Sequence, residues 1–132
     1  MPITTLKNTV LPILTATVWI SVSEFFRNTY LVHEYWTELY QGIGLTFPEE
    51  NHNGAIWGIW ALCFSIAIFI FSKKYTLVQT ALLAWFVGFV FMWIVIGNLG
   101  FLPYKILPIA IPLSILEAFV ATFLIFKVSE RR

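Results

Sequence analysis

GAIWGIWALCFSIAIFIFS, residues 54–72, and TLVQTALLAWFVGFVFMWIVIG, residues 76–97, hold no charged side chain between them. At 1.5 Å per residue, a helix of about 20 residues spans the roughly 30 Å of bilayer hydrocarbon. Inside that layer every backbone amide must find its partner within the chain, so each run is expected to be a helix. Only Lys73-Lys74-Tyr75 separates the two runs, a tight turn that makes them antiparallel neighbours.

Working outward, two more spans emerge. The first runs over residues 10–30 of a helix that starts near Thr9 and is expected to continue to Tyr40. The fourth covers residues 109–126, with Pro112 in its first turns. Spans at 10–30, 55–72, 76–97 and 109–126 define an all-α, polytopic four-helix bundle forming one membrane domain over residues 1–132. Composition agrees: 59% of residues are hydrophobic and 11% charged, with mean hydropathy +0.82. A soluble domain carries about 25% charged residues.

Residues 31–54 join the first two spans. LVHEYWTELY, residues 31–40, is amphipathic and suited to the headgroup zone. Gly42 and Gly44 are expected to end it, and Thr46-Phe47-Pro48-Glu49 has capping-box spacing for the next helix. The apolar start after Lys7 has no small-residue cleavage site, so it reads as a retained first helix.

Basic residues set the orientation. Lys7, Lys73, Lys74, Lys127, Arg131 and Arg132 share one side; Arg27 and Lys105 take the other. Both termini are therefore expected on the cytoplasmic side, and a bacterial inner membrane is the expected location. Glu24, Glu34, Glu38, Glu49 and Glu50 lie toward the outside. The net charge of +1 implies no nucleic-acid partner. The bilayer is the expected partner, and a homodimer is compatible with four short spans that bury little of their own surface.

Glu117 carries the most information. It lies near the middle of the fourth span, about 12 Å from either end. An ionised carboxylate there costs roughly 2.5–3.5 kcal/mol on insertion scales. A retained proton, a basic partner or a wet cavity would relieve it. Ser114 and Ala121 share its face, which should point into the bundle. The first helix has a matching stripe of Thr17, Ser21, Glu24 and Asn28, with Arg27 three residues from Glu24. Glu24, Arg27 and Glu117 are expected to meet between helices one and four.

Two functions follow. The group, with Ser21, Asn28 and Ser114 around it, binds a small ligand or exchanges a proton from the outer face, beneath a wall of Trp57, Trp60 and Trp93. Alternatively it only fixes helix packing, in a structural or accessory protein, and those tryptophans belong to an interfacial aromatic belt. Other chemistry is thinly supported. His33, Glu34, Glu38, Glu49, Glu50 and His52 have no metal-ligand spacing and read as solvated loop charges. Neither histidine lies in a span, which argues against haem, and no cofactor is implied. There is no phosphate loop or nucleophile elbow, so an enzyme is not indicated. Gly54, Gly58, Ala61 and Ser65, like Ala81, Ala84 and Gly88, read as packing faces.

The stretch 30–50, with Trp36, Gly42-Ile43-Gly44-Leu45-Thr46 and Glu49-Glu50, resembles a family of small, uncharacterised bacterial four-helix membrane proteins. That resemblance implies the fold and no biochemical role. In length the chain is also similar to small four-helix multidrug exporters, which use one membrane glutamate. Theirs lies in the first helix. Glu24 would stand in for it, but Arg27 beside it opposes a cationic substrate.

Overall fold

Thr76 shows how the chain turns back on itself. Its hydroxyl accepts from the Gln79 N–H at 3.3 Å, while the Gln79 side-chain oxygen accepts from the Thr76 N–H at 3.1 Å. This reciprocal cap satisfies two orphan donors at once. It starts a helix immediately after the Lys73-Lys74 turn.

The computed structural model describes residues 5–129; Glu130, Arg131 and Arg132, part of the charge pattern, lie outside them. Five helices follow one another: α1 (Leu6–Leu31), α2 (His33–Gly42), α3 (Asn51–Ser72), α4 (Leu77–Asn98) and α5 (Tyr104–Val128). The protein is an all-α bundle. Four helices, α1, α3, α4 and α5, are long and apolar enough to cross a membrane. In sequence around the bundle, α1 packs on α3 and α5, and α4 packs on the same two helices from the other side. Lys7, Lys73, Lys74 and Lys127 mark one end of the bundle, here the lysine end. Residues 32–50 and the 99–103 loop form the other, the loop end.

Small residues hold the helices close. Ala16, Ala61, Ala84 and Ala121 are fully buried, interleaved with Ile20, Ile68 and Ile125. Alanine at such contacts lets backbones approach and dispersion accumulate. Gly88 makes the tightest approach: a Cβ there would stand 2.5 Å from Phe64. Phe64 in turn stacks on Trp60 at 5.0 Å and meets Phe89 edge-on at 5.6 Å. Hydroxyls in the long helices mostly turn back on their own helix. Thr17 donates to the Ile13 carbonyl at 2.7 Å, Ser65 to Ala61 at 2.9 Å, and Thr122 to Ala118 at 2.7 Å.

The outward faces are apolar. Leu14, Val18, Val22, Ile59, Ile70 and Phe123 are all exposed. In each candidate span, between 22% and 44% of the most apolar stretch is buried inside the bundle. Greasy outside and small inside is the arrangement suited to a lipid solvent.

The expected boundaries shift at four places. The first helix begins at Leu6 rather than Thr9 and does not run on to Tyr40. It closes with a π-turn over Arg27–Leu31, in which the Val32 N–H bonds the Arg27 carbonyl at 3.0 Å. Val32 then leaves helical geometry at φ −125°, and α2 starts afresh. The second span begins at Asn51, not at the Thr46–Glu49 cap. Phe47 is held against α2 by Trp36 (5.9 Å, stacked) and Tyr40 (5.2 Å), and the chain stays out of helix as far as Glu50. Glu50 caps instead, its N–H donating to the Asn53 side chain at 3.0 Å. The fourth span begins with a 3-10 turn at Tyr104, and Pro108 falls in the first turn of the α-helix, where a missing N–H is harmless. Gly44, at φ +80°, ends the α2 region as expected. Of the small-residue faces, Ala61, Ser65, Ala81, Ala84 and Gly88 are packed. A Cβ at Gly54 or Gly58 would meet nothing within 4 Å.

Candidate functional site

The i, i+3 spacing on α1 puts Glu24 and Arg27 side by side. Both are almost fully buried, and Arg27 Nη2 donates to Glu24 Oε1 at 2.5 Å. Asn28, one turn beyond Glu24, donates through Nδ2 to Glu24 Oε2 at 3.0 Å and to the Glu24 carbonyl at 3.0 Å. Each oxygen of this carboxylate therefore has a donor. Charge-assisted hydrogen bonds of this kind are the strong ones.

Glu117 comes from α5 and meets the same cation. Its Oε1 lies 3.7 Å from Arg27 Nη1. Its side chain is fully buried, and neither carboxyl oxygen has a hydrogen-bond partner among the described residues; the same is true of Arg27 Nη1. At an effective dielectric of about 20, attraction over this distance is on the order of 4 kcal/mol, against several kcal/mol for desolvating each ion. One guanidinium thus serves two carboxyl groups unequally. It lies close to Glu24 and further from Glu117. The guanidinium carbon also lies over the Phe89 ring, 5.5 Å from its centre. That contact comes from α4.

On the loop-end side of Arg27 lies a cavity of about 30 Å³, walled by Glu24, Arg27, Asn28, Trp36, Trp57 and Trp93 among others. The expected tryptophan wall thus includes Trp57 and Trp93. Trp60 stands outside it, stacked on Phe64 and edge-on to Trp57 and Phe89. Trp36 is the wall residue that the sequence did not point to. Its amphipathic segment reads as a headgroup helix, yet the break at Val32 folds that segment over the polar group. Val32 itself is buried against Leu102, Ile106 and Ala110. Trp36 Nε1 is buried without a partner among the described residues.

Two further expectations separate from the site. Ser114 is fully buried but its hydroxyl is already engaged: it accepts from Trp85 Nε1 at 2.9 Å and donates to the Ile111 carbonyl at 3.0 Å. Ser21 is half-buried and does not reach the cavity wall. Both were expected from their helical faces. Ser114 shares its face with Glu117, but that face is wide enough to serve α4 at one residue and α1 at the other. A second indole ties α1 to α5: Trp19 Nε1 donates to the Glu117 backbone carbonyl at 3.0 Å. At the loop end, His33 pairs with Glu49 at 2.7 Å and His52 with Glu50 at 3.5 Å, all well exposed.

Compared with known proteins, the chain matches no family model, no curated protein and no solved structure.

Proposed function

We propose that this chain is an integral membrane protein whose Glu24–Arg27–Glu117 group takes up a proton or a small polar ligand from the outer face. The loop end, with its carboxylates and aromatic side chains, is the outer one in this reading. The lysine end faces the cytoplasm of a bacterial inner membrane, following the bias of basic residues. Exposed leucine, isoleucine and phenylalanine along all four spans support a lipid setting.

The observation that carries the functional reading is the state of Glu117. A carboxyl that is fully buried, without a hydrogen bond among the described residues, and 3.7 Å from a cation shared with a second carboxyl is costly to keep for packing alone. The competing reading makes the group a clamp that fixes helix register. Two indole hydrogen bonds already do that work, Trp19 between α1 and α5 and Trp85 between α4 and α5. Neither uses the Glu117 carboxyl.

Infrared difference spectroscopy of the protein in lipid, between acidic and mildly alkaline buffer, tests the proposal. A carboxyl band that changes with pH in the wild type and vanishes in Glu117→Gln is expected. A spectrum in which Glu117 contributes nothing at any pH returns the group to the clamp role.

A further inference from the structure

We infer that the groove between α2 and the start of α5 binds the headgroup of a zwitterionic phospholipid, its phosphate on Lys105 and its ammonium on Glu38. This goes beyond the Glu117 reading and rests only on the membrane setting proposed above.

The helix break at Val32 builds the groove. Val32 is buried against Leu102, Ile106 and Ala110, which seats α2 beside the loop end of α5. Tyr40 meets Phe101 at 5.9 Å, a second tie between α2 and the 99–103 loop. Gly100, at φ +81°, makes the turn in that loop. Tyr35, Glu38 and Leu39 stand at i, i+3 and i+4 on one face of α2. Together with Leu102, Tyr104 and Lys105 they line a groove of about 490 Å³. Pockets for organic ligands run from about 300 to 1,000 Å³.

Both charges in this groove are uncommitted. The ion pairs among the described residues join Glu24 to Arg27, Arg27 to Glu117, His33 to Glu49 and His52 to Glu50. Glu38 and Lys105 belong to none of them, and both are exposed. Lys105 also stands apart from the other lysines. Lys7, Lys73, Lys74 and Lys127 gather at the opposite end, and Arg27 is held by carboxylates.

A groove with one charge of each sign suits a ligand with one charge of each sign. A purely anionic ligand would face Glu38, and a purely cationic one Lys105. A phosphate accepts charge-assisted hydrogen bonds from a lysine ammonium. The ligand's own ammonium finds the Glu38 carboxylate, with the rings of Tyr35 and Tyr104 in the same wall to attract a cation.

The setting chooses among zwitterions. α2 is amphipathic and the groove lies at the loop end, where the four apolar helices stop, the level of lipid headgroups. Leu39 and Leu102 add apolar wall on which a glycerol backbone and the first acyl carbons can pack. A free amino acid has nothing to place there.

The test is native mass spectrometry of the full chain in detergent, titrated with dioleoylphosphatidylethanolamine or dioleoylphosphatidylglycerol. The wild type should bind the first more tightly by roughly fivefold, the upper worth of an exposed ion pair. Glu38→Gln should erase that preference, because the ammonium loses its partner. Lys105→Gln should weaken both lipids by a similar factor. Both residues are exposed, so both variants should fold, which circular dichroism verifies. Equal binding of the two lipids by the wild type, or a preference that survives Glu38→Gln, would overturn the inference. Displacement of the lipid by free phosphoethanolamine at matching concentration would overturn the lipid as occupant. A chain that stays monodisperse without detergent would remove the membrane setting itself, a failure distinct from the others.

Discussion

Arg27 holds Glu24 at 2.5 Å and Glu117 at 3.7 Å, with one nitrogen of its guanidinium turned to each. The first contact lies within α1 and is set by helical spacing. The second crosses from α1 to α5 and depends on how the two helices are rotated. The geometry makes the two carboxyl groups chemically different although they share a cation. Glu24 has three donor contacts with its side chain and carbonyl region, from Arg27 and Asn28. Glu117 has none at its carboxyl among the described residues.

That difference should show in stability. Glu24→Gln breaks a close buried pair and should cost about 3–5 kcal/mol, whereas Glu117→Gln should cost less than about 1 kcal/mol or stabilise. Unfolding of both variants in the same detergent, by circular dichroism against denaturant, checks the ranking. Equal losses would contradict the unequal sharing of Arg27.

Gly88 should be intolerant of even one methyl group. Gly88→Ala places a Cβ 2.5 Å from the Phe64 ring, which Trp60 and Phe89 hold in place. A loss of about 1–3 kcal/mol is expected, partly recovered in the double variant with Phe64→Leu. A neutral Gly88→Ala protein would mean that the α3–α4 contact is looser than described.

The four long apolar helices and the polar group were legible in the sequence for simple reasons. Charge-free runs of membrane length announce α3 and α4, and a buried charge must find another at similar depth, which brings Arg27 to Glu117. The partners of Trp19 and Trp85 were not legible. An indole N–H finds its acceptor only once each helix has a rotation about its axis, and a nearly all-apolar helix gives no periodicity to fix it. Phe47 hid the start of α3 in the same way. Its stacking on Trp36 is a tertiary contact that overrides a good local cap at Thr46.

Trp19→Phe and Trp85→Phe should each cost about 1 kcal/mol, the net worth of one hydrogen bond. Their sites lie on different helix pairs, so the double variant should lose the sum. Thermal unfolding of the three proteins decides this. A Glu117→Gln protein less stable than either would restore the carboxyl as the main clamp.

Cys63 offers a probe of the setting. It is exposed on α3, between Leu62 and Phe64 in a charge-free run. In vesicles a membrane-impermeant maleimide should leave it unmodified from either side, while a lipid-soluble thiol reagent should reach it. Mass spectrometry reads both. Rapid modification by the impermeant reagent would place that face of the bundle in water.

The contact between Arg27 and Glu117 is tested most directly by a double-mutant cycle with Arg27→Met and Glu117→Gln, measured as unfolding free energy in lipid-like detergent. The geometry predicts a coupling of at least about 1 kcal/mol, with the double variant more stable than the two separate losses would make it. Losses that simply add, to within about 0.5 kcal/mol, would mean that the two side chains do not sense each other.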